Sequence, residues 1–196
     1  AESDITLTKP RIAPTRDIEA FCDLGAAARV RHTKGRSYGD IVSGFYGEYE
    51  GAPDFVAYPK DELEVARLLE WADQRNVAVV PYGGGTSVVG GVSTDIQGYT
   101  GVVSLDTGKM SQILEVDDVS RAARIQCGIL GPALEEGLKK HGFTLRHFPH
   151  KCDDVRRHSC DYRSVCQAAL YSFDATGAPC IDRIKCLRRR LGSDLL

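Results

Sequence analysis

Residues 81–92 read Pro-Tyr-Gly-Gly-Gly-Thr-Ser-Val-Val-Gly-Gly-Val and follow the β-branched run Val77-Ala-Val-Val80. Residue types at this spacing suit an anion. Gly83, Gly84 and Gly85 let the backbone reach positive φ without a Cβ clash and aim successive N–H groups at one phosphate. Thr86 and Ser87 add hydroxyl donors, while Pro81 and Tyr82 lead in from the strand. Two commoner phosphate loops are excluded by the letters. The spacing from Gly85 to Gly90 suits a Walker loop, but Gly91 stands where its lysine must be. In the dinucleotide pattern G-x-G-x-x-G, starting from Gly83 and Gly85, the third glycine falls on Val88. A surface turn with no ligand is the plainer alternative, since glycine by itself marks turns. The flanking sequence must choose between them.

Other reactive side chains carry less. Five of the seven cysteines, Cys152, Cys160, Cys166, Cys180 and Cys186, crowd the last 46 residues beside His158, yet no pair has the C-x2-C spacing of a zinc site. No metal is expected. An odd count in a chain without a secretory signal argues for reduced thiols, with Cys127 packed in the core. His32, His141, His147 and His150 sit in no nucleophile motif, and none is assigned a catalytic role. Arg36, Ser37, Tyr38 and Asp40 form a segment that fits a turn with an Asp cap as well as it fits a ligand contact.

Elements to position the loop are legible by period. Asp61 and Glu64 make a capping-box-like start, and Val65, Leu68, Leu69 and Ala72 repeat at i, i+3, i+4 and i+7, so residues 61–75 are predicted helical, with Asn76 as terminator. Residues 77–80 and 102–105 are predicted as buried strands, and 113–116 and 122–127 as two strands joined through Asp117 and Asp118. Gly131-Pro132 opens a second helix that carries Leu134 and Leu138 and closes at Gly142. This mixture predicts an α+β fold of small mixed sheets flanked by helices.

Composition bounds the partners. A net charge of −2 gives no general attraction to nucleic acid or to an anionic membrane. No run approaches the roughly eighteen apolar residues of a membrane span, and residues 1–4 lack the features of a signal peptide, so a cytoplasmic location is expected. Composition changes near His150. Glu136 is the last glutamate, and residues 151–196 hold nine Lys or Arg against six Asp, leaving the first 150 residues at −5.

The ordered wording Pro-x-Gly-Gly-Gly-Thr-Ser-Val, then Ser-Leu-Asp-Thr-x-x-Met ending at Met110, then Cys127-Gly-Ile-Leu-Gly with Leu134, resembles the FAD-binding PCMH-type domain of the vanillyl-alcohol-oxidase superfamily. Within it, the wording is most similar to bacterial alkyldihydroxyacetonephosphate synthase-like FAD-linked oxidases. The resemblance covers residues 30–150. It implies FAD as cofactor, its pyrophosphate held by Pro81, Tyr82, Gly83, Gly84, Gly85, Thr86 and Ser87, with Asp106 and Thr107 beside the adenosine. It also implies a cap domain that binds a small-molecule or lipid-precursor substrate, non-covalent flavin, and catalytic residues C-terminal to this segment, so none is assigned here. The flavin would serve as an electrophilic trap in an alkyl-transfer synthase, or accept hydride in a 2-hydroxy-acid oxidase.

Three segments are expected: residues 1–50 as an N-terminal segment, 51–150 as the N-terminal part of the FAD domain, and 151–196 as a poorly ordered tail. Where the family continues with Gly-Gly-Trp, this chain reads His150-Lys-Cys-Asp-Asp, which suggests a frameshifted or replaced end, with a divergent natural tail as the alternative. The readings left open are part of a flavin enzyme, a stand-alone FAD-binding fragment, and a non-functional truncated product. Three or four amide bonds to phosphate at roughly 1.5–3 kcal/mol each stand against an association cost of about 4–15 kcal/mol. The expected affinity of the loop alone is therefore about 1 mM or weaker.

Overall fold

The computed structural model describes residues 7–145, together with the backbone of two short strands, Ile184–Lys185 and Arg188–Arg189. Expectations that fall on His147, His150, the five late cysteines and the tail lie outside these residues. By contacts the chain divides into two units, Ala1–Lys109 and Met110–Leu196.

The first unit is built on a four-stranded sheet of β1 (Cys22–Asp23), β2 (Phe55–Ala57), β3 (Val77–Tyr82) and β4 (Gly101–Asp106), in the order β1-β2-β4-β3. β2, β4 and β3 are mutually parallel, and β1 pairs antiparallel with β2 at the edge. Parallel strands are covered on both faces and so tolerate unbroken apolar runs; all six residues of β4 are buried. Phe55 pairs with Val103 and Val79 with Val103. On that face Phe55 meets Trp71 edge to face, with ring centroids 5.6 Å apart.

Trp71 comes from α3 (Glu62–Asp73), which buries Val65, Leu68, Trp71 and Ala72. Leu68 is wholly buried, which stabilises the unit by roughly 1.5–3 kcal/mol. The helix starts at Asp61, whose side chain accepts from the Glu64 N–H at 2.9 Å, while Glu64 Oε2 accepts from the Lys60 N–H at 2.8 Å. It ends two residues earlier than the period suggests, and Asn76 takes a left-handed φ of 52° on the way into β3. Two further helices, α1 (Ala26–Arg31) and α2 (Tyr38–Phe45), precede β2.

Joining parallel strands of one sheet requires a crossover. α3 supplies it between β2 and β3, which flank β4, but residues 83–100, between the neighbours β3 and β4, contain no helix or strand. Loops of this length in compact domains are uncommon and usually functional. The return is pinned where Thr100 donates its N–H to the Asn76 carbonyl at 3.0 Å.

The second unit pairs β5 (Ile113–Asp117) with β6 (Ala122–Ile125) antiparallel, and β6 with β8 (Ile184–Lys185). β7 (Phe143–Thr144) pairs with β9 (Arg188–Arg189). α4 (Gly131–Lys139) lays Leu134 and Leu138 onto Ala123, Ile125, Ile129 and Phe143. Its second residue is Pro132, and Gly142 beyond its end has φ 75°. Among the described residues no helix is long and apolar enough to cross a membrane.

Candidate functional site

The three parallel strands end together, and the residues singled out in the sequence lie at those ends. Register pairs Pro81 with Leu105 and Tyr82 with Asp106. The glycine run and the Ser-Leu-Asp-Thr run, separated in sequence, are thus adjacent in space. Ligands of open parallel sheets bind outside the carboxyl ends of the strands.

Beyond Tyr82 the chain bends through Gly83, Gly84 and Gly85. Gly85 takes φ 68°. A Cβ there would lie 2.5 Å from Tyr82 Cζ, so the loop folds directly over the tyrosine ring. Gly83 and Gly85 are buried and Gly84 is half-buried. Among the described residues the amides of all three make no hydrogen bond. Buried backbone N–H groups are almost always paired, so three consecutive free donors at a strand end fit an anion that the chain itself does not supply.

The rest of the loop is held by its neighbours. Ser87 Oγ accepts from the Gly91 N–H at 2.9 Å and from the Val89 N–H at 3.4 Å, and so braces the turn that follows. The Ser87 carbonyl accepts from the Arg36 N–H at 2.7 Å. That approach needs a glycine at position 35, where a Cβ would overlap the Ser87 carbonyl oxygen. Thr86 is exposed. The segment containing Arg36 and Ser37 resolves as a capping box: Ser37 Oγ accepts from the Asp40 N–H at 3.1 Å, and Asp40 Oδ2 accepts from the Ser37 N–H at 3.0 Å. Its polar side chains therefore start α2.

Asp106 is 8% exposed, and both its carboxylate oxygens are engaged. Oδ1 accepts from the Gly108 N–H at 2.6 Å, and Oδ2 lies 2.9 Å from His32 Nε2. Thr107, 2% exposed, opens the 3-10 turn Thr107–Lys109. Tyr58, just past β2, completes the row of strand ends. Burial, reinforced by Asp106, pushes its hydroxyl up to about 12, and Lys109 Nζ sits 5.6 Å from its ring centroid. Sequence reasoning assigned His32 no part in the site. No local motif marks it, because its partner is 74 residues away.

Known proteins resemble this chain in sequence and in fold. A family profile described as "FAD binding domain" matches residues 53–156. The alkyldihydroxyacetonephosphate synthase of Dictyostelium discoideum is 38% identical over 122 residues, 62% of this chain and 20% of that protein. The enzyme of the same name from Trypanosoma brucei brucei is 36% identical over 127 residues, 64% of this chain and 21% of that protein. Arabidopsis thaliana mitochondrial D-2-hydroxyglutarate dehydrogenase is 34% identical over 98 residues, 50% of this chain and 17% of that protein. A solved alkyldihydroxyacetonephosphate synthase superposes with a TM-score of 0.70 at 34% identity, covering 76% of this chain and 30% of that one. The chain thus spans about a fifth of the length of the first two curated relatives.

Proposed function

Because this chain belongs to the FAD binding domain family, whose cofactor is FAD, we propose that residues 81–87 hold the FAD pyrophosphate within a larger enzyme of the alkyldihydroxyacetonephosphate synthase kind. The observation that carries this reading is the trio of unbonded amides at Gly83, Gly84 and Gly85, two of them buried, at the carboxyl ends of β2, β4 and β3.

When bound, the flavin supplies redox and electrophilic chemistry. The chain's own residues bind and orient it. Pro81 and Tyr82 end β3 and deliver the loop. The three glycine amides give N–H donors to a diphosphate, and the absence of side chains at positions 83 and 84 lets it approach the backbone. Thr86 and Ser87 offer hydroxyls at the far side of the loop, while Asp106 and Thr107 wall the end of β4. The substrate of the whole enzyme would be a lipid precursor, as in ether-lipid synthesis. A second reading, part of a flavin-linked 2-hydroxy-acid dehydrogenase, has the Arabidopsis similarity in its support. We place it second because the alignment is shorter and the identity lower.

The test is a fluorescence titration of the purified chain with FAD, with FMN and the Gly84→Val variant as controls. Weak FAD binding, at about 1 mM, that FMN does not reproduce and Gly84→Val abolishes is the expected result. Unchanged binding in Gly84→Val would overturn the cradle. An affinity no tighter than about 1 mM would mean that these residues hold FAD only with the rest of the enzyme.

A further inference from the structure

We infer that His32 is a positioning residue of the cofactor site: its hydrogen bond to Asp106, with a proton lying between the two, locks the ends of the three parallel strands beneath the glycine loop, and Asp106 serves the cofactor through this lock. The consequence for binding rests on the flavin reading above. The lock itself rests on geometry alone.

His32 follows the last turn of α1 and is wholly buried. Its Nδ1 lies 2.7 Å from the Ala28 carbonyl oxygen. A carbonyl only accepts, so Nδ1 carries a proton. Nε2 faces Asp106 Oδ2 at 2.9 Å, and Oδ1 of the same carboxylate already accepts from Gly108. Two bare acceptors at that distance would repel, and an unsatisfied buried polar group is costly. A second proton therefore lies between Nε2 and Oδ2. An imidazolium facing a carboxylate and an imidazole facing a carboxylic acid contain the same number of protons.

The pair touches each of the three strand ends. The imidazole centroid is 4.2 Å from that of Tyr82 at the end of β3 and 5.8 Å from that of Tyr58 beyond β2. Asp106 ends β4. Tyr82 Oη donates to the Arg31 carbonyl at 3.1 Å, which fixes the ring over which Gly85 folds. The residues after His32 run on to the loop: the Thr33 carbonyl accepts from Thr94 Oγ1 at 3.3 Å, and the Arg36 N–H reaches the Ser87 carbonyl. Tyr58 and Tyr82 face the imidazole directly, Asp23 and Arg31 act on Tyr58, and Lys109 Nζ lies over the Tyr58 ring.

The experiment uses the full 196-residue chain, with His32→Phe, Asp106→Ala and Asp106→Asn. An asparagine can still accept from Gly108 and can donate to Nε2 of a neutral imidazole, so it keeps both hydrogen bonds without the shared proton. FAD titration is expected to show binding about tenfold weaker in His32→Phe and Asp106→Ala, with Asp106→Asn restoring most of what Asp106→Ala loses. Equal losses in both Asp106 variants with no change in His32→Phe would instead mark Asp106 as a direct contact and overturn the inference. The imidazole nitrogen spectrum, recorded without flavin, is expected to show protonated Nδ1 and a proton shared at Nε2, changing to a plain Nδ1–H tautomer in Asp106→Asn. A bare Nδ1 in the unaltered chain would refute the lock. If no form of the chain binds FAD, these residues hold FAD only with the rest of the enzyme, and amide exchange at Gly108, read in the chain alone, decides the lock: faster exchange in both Asp106→Ala and His32→Phe but not in Asp106→Asn supports it, and unchanged exchange in His32→Phe refutes it.

Discussion

Gly85→Ala tests how the glycine loop is held. At φ 68° the alanine must occupy the left-handed region, which costs an L residue about 1–2 kcal/mol. The new Cβ would also stand 2.5 Å from Tyr82 Cζ and 3.1 Å from Cε2, where carbon atoms normally approach to roughly 3.5–4.0 Å. The ring must therefore move, and it has little freedom. Its hydroxyl donates to the Arg31 carbonyl at 3.1 Å and its centroid is 4.2 Å from His32. Losing that hydrogen bond costs about 0.5–1.5 kcal/mol, so the expected destabilisation is about 1.5–3.5 kcal/mol in all. Urea unfolding followed by the fluorescence of Trp71, the single tryptophan, measures it. The same substitution on a Tyr82→Leu background, which lacks the blocking atoms, should cost only the backbone part, about 1–2 kcal/mol. A loss below about 0.5 kcal/mol, or the same loss on both backgrounds, would refute the account.

Two further outcomes follow from the first unit. Asp61→Ala removes the side-chain acceptor of the Glu64 N–H at the start of α3 and should cost about 1 kcal/mol in the same urea assay, with Asp61→Asn retaining most of it. Burial first, then Asp106, raises the Tyr58 hydroxyl from 10.0 to about 12, and burial raises the Cys22 thiol from 9.0 to about 12. The unfolded chain releases these protons at lower pH than the folded one, so stability is intact below the unfolded values and falls as pH rises toward about 12. On a Cys22→Ala background, Tyr58→Phe should flatten the urea midpoint between pH 10.0 and about 12; an unchanged slope would refute the Tyr58 assignment.

Local chemistry alone determined a good part of this protein. Helix α3 was legible because its apolar spacing and the Asp61 cap are properties of residues a few positions apart. Strands β3 and β4 were legible because a strand buried on both faces is mostly apolar along its length. The glycine run could be read as a candidate anion cradle because the freedom it needs belongs to the backbone of those residues, and the ordered motifs around it pointed to the FAD-binding family. Strand order was decided only by tertiary packing, since no spacing in the chain specifies that β4 inserts between β2 and β3. That insertion brings Tyr82 beside Asp106. The neighbours of the glycine loop were equally hidden: Gly35 and Arg36 grip Ser87 from about fifty residues upstream, and His32 meets Asp106 across 74. A glycine kept for close approach and a histidine kept for one buried carboxylate look, in sequence, like any other glycine and histidine. Their roles depend on which atoms the folded chain sets against them, a property of packing between distant segments that local residue pattern does not encode.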